Sequence, residues 1–287
     1  MCRLFGFRSI INSQVHSSLV HADNALSSQS IKHPDGWGVA YYLEQTPHLI
    51  KSVDRAVDDH IFHRVSGIVA SQTVIAHIRK ATHGVLNILN SHPFQYGKWV
   101  FAHNGNIKNF EKHKQKLYQH IDPKLAKFIL GTTDSEVIFY LLLSLIKNKH
   151  PLDQTEVRLG LIKEATQELC QIVTKYYGPL YGGDDNDPKE NHLTFILTTG
   201  STMVAFNGGQ SLNYSTHKKL CSERETCSYY SFACENKVKL NSPVNHLIFS
   251  SEELTGENIW SNLKKGEMVG VDSNMYFSKF ELNANFS

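Results

Sequence analysis

The second residue of the chain is a cysteine, which becomes the first residue once Met1 is removed. Initiator methionine is generally removed when the next residue is small, as cysteine is. An N-terminal cysteine carries a thiol and a free α-amine on one Cα, and such an amine has an unperturbed pKa of about 7.7–8.0. The amine can act as a base at neutral pH and activate the thiol without a separate histidine. Cys2 is therefore a candidate nucleophile, although for this residue taken alone a chance cysteine beside the initiator methionine is the favoured explanation.

Two strand-like segments end in residues that suit the recognition of a small polar substrate. AHIRKATHG (76–84) ends in Arg79 and then a Thr-His-Gly turn, and the planar guanidinium of arginine can hold a carboxylate through two hydrogen bonds. FAHNGNI (101–107) ends in Asn104-Gly105. This dipeptide is a strong hairpin-turn signal, but a side-chain amide beside an unobstructed glycine N–H is also what an oxyanion hole requires.

A third segment, TTDSE (132–136), places Asp134 at the start of a predicted helix. An acidic residue at this end stabilises a helix through its macrodipole, and the same carboxylate can bind a substrate ammonium group. Thr133 and Glu136 have the spacing of a capping box, which marks where the helix begins. Each segment has a structural explanation by itself, so the chemical interpretation depends on finding them together.

The elements that must position these residues are strands at both ends of the chain and helices in the middle. Helical spacing of apolar residues is found in SSLVHADNALSSQ, NFEKHKQKLYQH, TTDSEVIFYLLLSLIK and EVRLGLIKEATQELCQIVTKYY. Short apolar or alternating runs predict strands at CRLFGF, WGVAYYL, HLIKSV, TVIAHIR, WVFAHN, LTFILTT, TMVAFN, SYYSFACE, NHLIFSS, EMVGVD and NMYFSKF. This order favours an α+β layered domain over a parallel βαβ fold.

Composition narrows the class of protein. The chain has 287 residues, 41% hydrophobic residues, 20% charged residues and a net charge of +2, so it can bury a core. No basic block indicates nucleic-acid binding, and no apolar run approaches the roughly 18 residues of a membrane span. The N-terminus lacks a secretory signal, which predicts a cytoplasmic location. Five cysteines at irregular spacing predict neither a disulfide framework nor a zinc site.

Taken together, the motifs resemble those of the class II glutamine amidotransferases, which are N-terminal-nucleophile amidohydrolases. The resemblance is carried in order by Cys2-Arg3, HPDGWGVAYY, AHIRKATHG, NSHPF, FAHNGNI and TTDSE. The stand-alone, YafJ-type branch is most similar, because it shares MCRL, DGWG and a late segment that here reads IFSSEELT (248–255). The resemblance is specific over roughly residues 2–150 and weaker over the rest of the chain.

This resemblance implies a fold and a set of roles. The family fold is a four-layer αββα sandwich of two antiparallel sheets, so residues 2–287 are expected to form one amidotransferase domain. Cys2 is expected to attack a γ-glutamyl carboxamide and form a thioester, which water then hydrolyses without a metal or organic cofactor. The other expected site residues hold the oxyanion (Asn104, Gly105), bind the glutamyl head group (Arg79 its carboxylate, Asp134 its ammonium) or line the pocket (Thr82, His83, Gly84, Trp37).

The amine released and the physiological substrate are left open. The chain lacks the motifs of an ammonia-consuming domain, so the alternatives are simple hydrolysis of glutamine, action on another γ-glutamyl compound, or ammonia delivery to a synthase. A peptidase is a second kind of partner. An inactive glutamine-binding regulatory subunit is a further alternative. The histidines His77, His83, His92 and His103 raise the alternative of a metal hydrolase, although they lack a metalloprotease spacing.

Overall fold

The strand that follows Cys2 buries both of its faces, as expected for an uninterrupted apolar run. Leu4 packs between two sheets, whereas Phe5 packs on the other side of the same strand against helices. The computed structural model describes residues 2–81, 85–154, 156–183, 187 and 189–287.

The strands form two seven-stranded sheets in which every pair of neighbours is antiparallel. In chain order the strands are β1 (Arg3–Gln14), β2 (Trp37–Leu43), β3 (Thr46–Ser52), β4 (Ala70–Ile78), β5 (Phe94–Tyr96), β6 (Trp99–Asn106), β7 (His192–Thr198), β8 (Met203–Phe206), β9 (Asn213–Ser215), β10 (Ser242–Pro243), β11 (His246–Ser250), β12 (Ser261–Asn262), β13 (Glu267–Val271) and β14 (Tyr276–Glu281). The first sheet has the order β12-β9-β11-β1-β4-β2-β3, and the second has the order β10-β14-β13-β8-β7-β6-β5. Both halves of the chain contribute to both sheets.

Helices cover the outer face of each sheet. They are α1 (Leu26–Gln29), α2 (His60–Ile68), α3 (Phe110–Tyr118), α4 (Pro123–Ala126), α5 (Asp134–Lys147) and α6 (Leu159–Tyr177), with a π-helical turn at Ser17–His21 and 3₁₀ turns at Ile88–Asn90 and Phe232–Cys234. One apolar core lies between the two sheets, a second lies between the first sheet and α1 and α2, and a third lies between the second sheet and α3 to α6. The architecture is a four-layer αββα sandwich, which confirms the predicted fold.

Helix α5 begins as its sequence predicts. Thr133 is the N-cap, and its hydroxyl accepts a hydrogen bond from Glu136 N at 3.3 Å, an interaction worth about 1 kcal/mol in typical helices. The reciprocal half of the capping box does not form. The Glu136 carboxylate instead accepts hydrogen bonds from the backbone N–H groups of Leu130 and Gly131, at 3.1 and 2.6 Å. The side chain thereby holds the loop that leads into the helix.

Two secondary-structure predictions need correction. The segment SYYSFACE, predicted as a strand, forms turns and the 3₁₀ turn Phe232–Cys234. The backbone N–H groups of Tyr230, Cys234 and Glu235 each donate three residues back along the chain, and Phe232 is 85% exposed. The helix predicted at SSLVHADNALSSQ is divided into the π-helical turn and α1. All five cysteines are free thiols. Within the described ranges, no helix is both long and apolar enough to cross a bilayer.

Candidate active site

Cys2 lies at the start of β1, beside the end of β4. The β1–β4 register pairs Arg3 with Ile78, which brings the preceding Cys2 next to Arg79 and Lys80. The Cys2 Sγ lies 3.3 Å from both Lys80 O and Lys80 N. Burial raises the pKa of the Cys2 thiol, whereas the Lys80 N–H and the Arg79 charge oppose that increase by stabilising the thiolate. The thiol therefore depends on its neighbours, and on a nearby base, for activation.

The late motif IFSSEELT fixes the strand that carries Cys2. Leu4 N donates to Ser251 Oγ at 2.9 Å, and Ser251 N donates to Leu4 O at 3.0 Å. The Arg3 guanidinium forms an ion pair with the Glu252 carboxylate. The segment IFSSEELT thus holds the start of β1 in place. Its sequence did not predict this role, because the residues it contacts lie about 250 residues away along the chain.

Arg79 is nearly fully buried at the end of β4, where a loop from the HPDGWG motif holds its backbone. Arg79 N donates to Gly36 O at 2.8 Å, and Asp35 N donates to Arg79 O at 3.1 Å. Gly36 has a φ of +114°, and a Cβ there would lie 2.7 Å from Ser52 O, so the loop requires glycine. Burial lowers the pKa of Arg79, and the charges of Cys2 and Asp35 oppose that shift. A buried guanidinium here is suited to an anionic group of a substrate.

Asn104 and Gly105 lie inside β6, so the hairpin-turn interpretation of this dipeptide is wrong. Asn104 pairs with Thr194 and Gly105 with Leu193 in the β6–β7 ladder. Leu193 donates its own N–H to Gly208 O at 2.8 Å, on the other side of β7. In an antiparallel ladder this orientation means that Gly105, opposite Leu193, turns its N–H away from β7. On that side β5 begins only at Phe94, which pairs with Phe101. The Gly105 N–H thus lies beyond the end of the β5–β6 ladder.

The surroundings of Asn104 and Gly105 also fit an oxyanion hole. Alternation along β6 places Asn104 on the same face as Ala102, which packs between the sheets. Asn104 is 2% exposed, and no described residue donates a hydrogen bond to its Oδ1. A Cβ at Gly105 would lie 2.2 Å from both His103 Nε2 and His192 O, so no larger residue fits there without displacement. Strand β6 therefore presents an amide and a glycine N–H at its end, in a site that excludes a side chain.

Asp134 is the first residue of α5, and its side chain ties the helix to the end of β6. Its Oδ2 accepts a hydrogen bond from Ile107 N at 2.7 Å, and its Oδ1 accepts one from Ser135 N at 2.7 Å. The carboxylate is 3% exposed, and its charge raises the pKa of Cys2. The Asp134 charge therefore acts on the Cys2 thiol from the helical layer of the second sheet, while Arg79 lies beside Cys2 on the first sheet.

The structure thus gathers most of the predicted residues where the two sheets meet. Strand β6 contacts both β1 and β4, and the charge of His103, next to Asn104, acts on His77, two residues before Arg79. Thr82, His83 and Gly84, which were predicted to line the pocket, lie outside the described residues.

Trp37 does not fit its predicted role as a substrate-contacting side chain. It is fully buried, packs edge-on against Phe62 at a centroid distance of 5.0 Å, and donates its indole N–H to Asp59 Oδ2 at 2.8 Å. Alternation along β2 directs this side chain into the helix-covered core, opposite the face that carries Gly38 and His77. Gly38 does face the space between the sheets, where a Cβ would lie 2.1 Å from His92 O.

Histidines His77, His92 and His103 are buried near the site, and burial lowers the pKa of each, in His77 to about 3. The rings of His77 and His92 lie with centroids 4.2 Å apart. These rings are therefore neutral at pH 7. No group of three or more His, Cys, Asp or Glu side chains in the described parts of the chain is placed to hold a metal ion.

A separate cavity of about 770 Å³ lies at the far end of β1 from Cys2. It is lined by residues from Phe7 to Ser18 and by loop residues that include Cys221, Cys227 and Cys234. The candidate site residues do not line it, so its size gives no information about the substrate of Cys2.

The chain is similar to known proteins in sequence and in fold. The family model described as glutamine amidotransferases class-II matches residues 1–277. The chain is 34% identical over 208 residues to the probable glutamine amidotransferase DUG3 of Saccharomyces cerevisiae, covering 68% of this chain and 56% of the yeast protein. It is 29% identical over 251 residues to a putative glutamine amidotransferase of Haemophilus influenzae, covering 83% of this chain and 73% of that protein. The chain therefore spans just over half the length of its yeast relative.

Solved structures share the fold. A glutamine aminotransferase class-II domain protein from Silicibacter pomeroyi superimposes with a TM-score of 0.60 at 20% identity, covering 98% of this chain and 99% of that one. Glutamine phosphoribosylpyrophosphate amidotransferase from Bacillus subtilis superimposes with a TM-score of 0.60 at 15% identity, covering 99% of this chain and 50% of that one. At these identities the likeness concerns the fold alone.

Proposed function

The chain belongs to the class II glutamine amidotransferases, and on that premise we propose that it hydrolyses a γ-glutamyl amide through a thioester on Cys2. The observation that carries the proposal is the position of the Cys2 thiol. It lies on the Lys80 backbone beside Arg79, and the Asp134 charge acts on it from the other sheet's side. A cationic and an anionic group beside one thiol match the carboxylate and ammonium of a glutamyl head group.

The proposed reaction begins after Met1 is removed. The α-amine of Cys2 takes the thiol proton, and the thiolate attacks the γ-carbonyl carbon. The oxyanion is stabilised by the Asn104 side-chain amide and the Gly105 N–H, which the ladder geometry turns away from β7. The C–N bond then breaks, and the departing amine takes the proton. Water hydrolyses the thioester and releases glutamate, so the cycle needs no metal or organic cofactor.

Two lysines lie near the Cys2 end of the site. Burial and the charges of Arg3, Lys80 and Lys32 lower the pKa of the nearby His33 side chain to about 3, although the Arg3 guanidinium is paired with Glu252. A leaving amine that carries a carboxylate, as in a γ-glutamyl peptide, is attracted by the lysines, whereas ammonia leaves uncharged. We therefore propose a γ-glutamyl compound as a substrate beside glutamine.

Within this proposal residues 2–287 act as one amidohydrolase unit on a small molecule. Delivery of ammonia to a separate synthase, and association with a peptidase that processes the released amine, are the two partnerships consistent with it. The inactive regulatory subunit is the opposing hypothesis, and the presence together of Cys2, Arg79, Asn104 and Asp134 at one site argues against it.

Two measurements test the proposed function. Mass spectrometry after treatment with a glutamine-analogue diazoketone should show one label on Cys2 of a chain whose N-terminus is Cys2. Glutamate release from glutamine and from γ-glutamyl peptides should then be lost in Cys2→Ala. The matched control is Cys227→Ala, which removes a partly exposed thiol of the distant cavity and should keep turnover. Undiminished release by Cys2→Ala would refute the mechanism, and failure of all γ-glutamyl amides with a correctly processed chain would favour the regulatory subunit.

A further inference from the structure

A buried chain of polar side chains lies directly behind Asp134. Ser135 Oγ is 3.2 Å from Asp134 Oδ1 and 2.9 Å from His103 Nδ1. The opposite ring nitrogen, His103 Nε2, lies 3.1 Å from His192 O. All three side chains are at most 5% exposed, so their hydrogen-bond partners are these groups rather than bulk water.

The positions of the protons on these hydrogen-bonded side chains follow from the groups that can only accept. The His192 carbonyl can only accept, so His103 Nε2 must carry a proton. Burial lowers the pKa of His103, so the ring is neutral and its Nδ1 is an acceptor. Ser135 has a single hydroxyl proton, and it is therefore donated to His103 Nδ1, the nearer of its two acceptors.

This arrangement determines how many acceptor positions of the Asp134 carboxylate remain unused. With the Ser135 hydroxyl turned to His103, the carboxylate accepts the two backbone hydrogen bonds from Ile107 N and Ser135 N. A carboxylate has about four acceptor positions. The remaining positions stay open, and no third donor within the described residues reduces the carboxylate's attraction for a cation. If the hydroxyl turned to Asp134 instead, it would compete directly with a bound ammonium group.

We infer that His103 is a positioning residue that holds the Ser135 hydroxyl away from Asp134 and so keeps this carboxylate open for the α-ammonium of the substrate. The inference rests on the proposed function, because it assigns the ammonium to Asp134.

A double-mutant cycle tests this inference. His103→Leu removes the acceptor, so the Ser135 hydroxyl should turn to Asp134 and raise the KM for a γ-glutamyl amide on the order of tenfold, about 1.4 kcal/mol, with kcat little changed. In a Ser135→Ala background the same His103→Leu change should alter KM by less than about twofold, since no hydroxyl remains to compete. His103→Asn offers a replacement acceptor and should restore most of the affinity.

A ligand without an amino group separates this effect from a general disturbance of the site. The Ki of glutarate, which lacks the ammonium of glutamate, should be the same in wild type and His103→Leu, whereas the Ki of glutamate should rise. An equal KM increase in the wild-type and Ser135→Ala backgrounds, or an equal loss of glutarate binding, would overturn the inference. A protein that releases no glutamate would contradict the proposed function but not this inference. In that case the same double-mutant cycle can be measured by calorimetric binding of glutamate and glutarate, which needs no turnover.

Discussion

We expect the folded protein to lose stability in acid because it contains buried neutral histidines. His246 tests this best, because it lies outside the candidate active site. His246 lies at the start of β11, is 8% exposed, and is remote in the fold from Cys2. Burial lowers its pKa to about 4. In the unfolded chain a histidine has a pKa of about 6.5, so between these two values the unfolded state binds one more proton than the folded state.

Above the unfolded-state pKa, the neutral His246 ring does not oppose folding, so the folded protein keeps its full stability there. This stabilising contribution is complete above pH 6.5 and is lost as the pH falls towards 4, since each pH unit in this window costs about 1.36 kcal/mol. Lowering the pH from 7 to 5 should therefore remove about 2 kcal/mol through His246 alone. His77, fully buried with a pKa of about 3, should remove a similar amount over the same interval.

Urea unfolding followed by tryptophan fluorescence at pH 7, 6 and 5 measures this loss. His246→Gln should lose about 2 kcal/mol less than wild type between pH 7 and 5, which is a difference of about 0.7 M in the urea midpoint for an m-value of about 3 kcal/mol/M. The matched control is His120→Gln, which makes the same chemical change at an exposed position and should keep the wild-type pH dependence. The reasoning is refuted if His246→Gln and wild type lose the same free energy of unfolding.

Three further predictions concern the site. Asn104→Ala should lower kcat by about 10²–10³ in a glutamate-release assay, because the oxyanion loses a donor; an effect confined to KM would contradict that role. Arg79→Lys should raise KM in the same assay, since a point charge cannot replace two parallel hydrogen bonds to a carboxylate. An unchanged KM would exclude Arg79 as the group that binds the substrate carboxylate. Gly105→Ala should destabilise the fold by about 2–3 kcal/mol in urea because its Cβ meets His103 and His192 O. Its control, Gly160→Ala in a helix with free space, should instead stabilise by about 0.5 kcal/mol.

The helix start and the strand end beside the candidate site residues were predictable because their signals are local. Thr133 caps α5 one residue before Asp134, and Arg79 directly follows the last residue of β4, as the spacing of polar and apolar residues indicated. The segment SYYSFACE shows where local signals mislead. Its aromatic residues have strand-forming propensity, but no neighbouring strand pairs with it in the described chain, so turn hydrogen bonds and contacts from Lys218 N and the Asn245 side chain hold it instead.

The Asn104-Gly105 dipeptide shows a second limit of local reasoning. By itself Asn-Gly indicates a turn, yet β7 pairs with it through Thr194 and Leu193, 90 and 88 residues further along the chain, and keeps it extended. Trp37 is a third example, because which face of β2 is buried against helices depends on layers formed by distant segments.

The sequence by itself determined which residues are candidates for chemistry with Cys2, because side-chain type and spacing are properties of the chain. Only the tertiary structure decided how Cys2 is held: by Ser251 and Glu252 through β1, and by Lys80 at its thiol. It also decided the surroundings of Asp134, where Ile107 bonds the carboxylate and His103 contacts the neighbouring Ser135 hydroxyl. These contacts join residues that are far apart in sequence, and their geometry is set by how the two sheets and their helices pack, which no local pattern specifies.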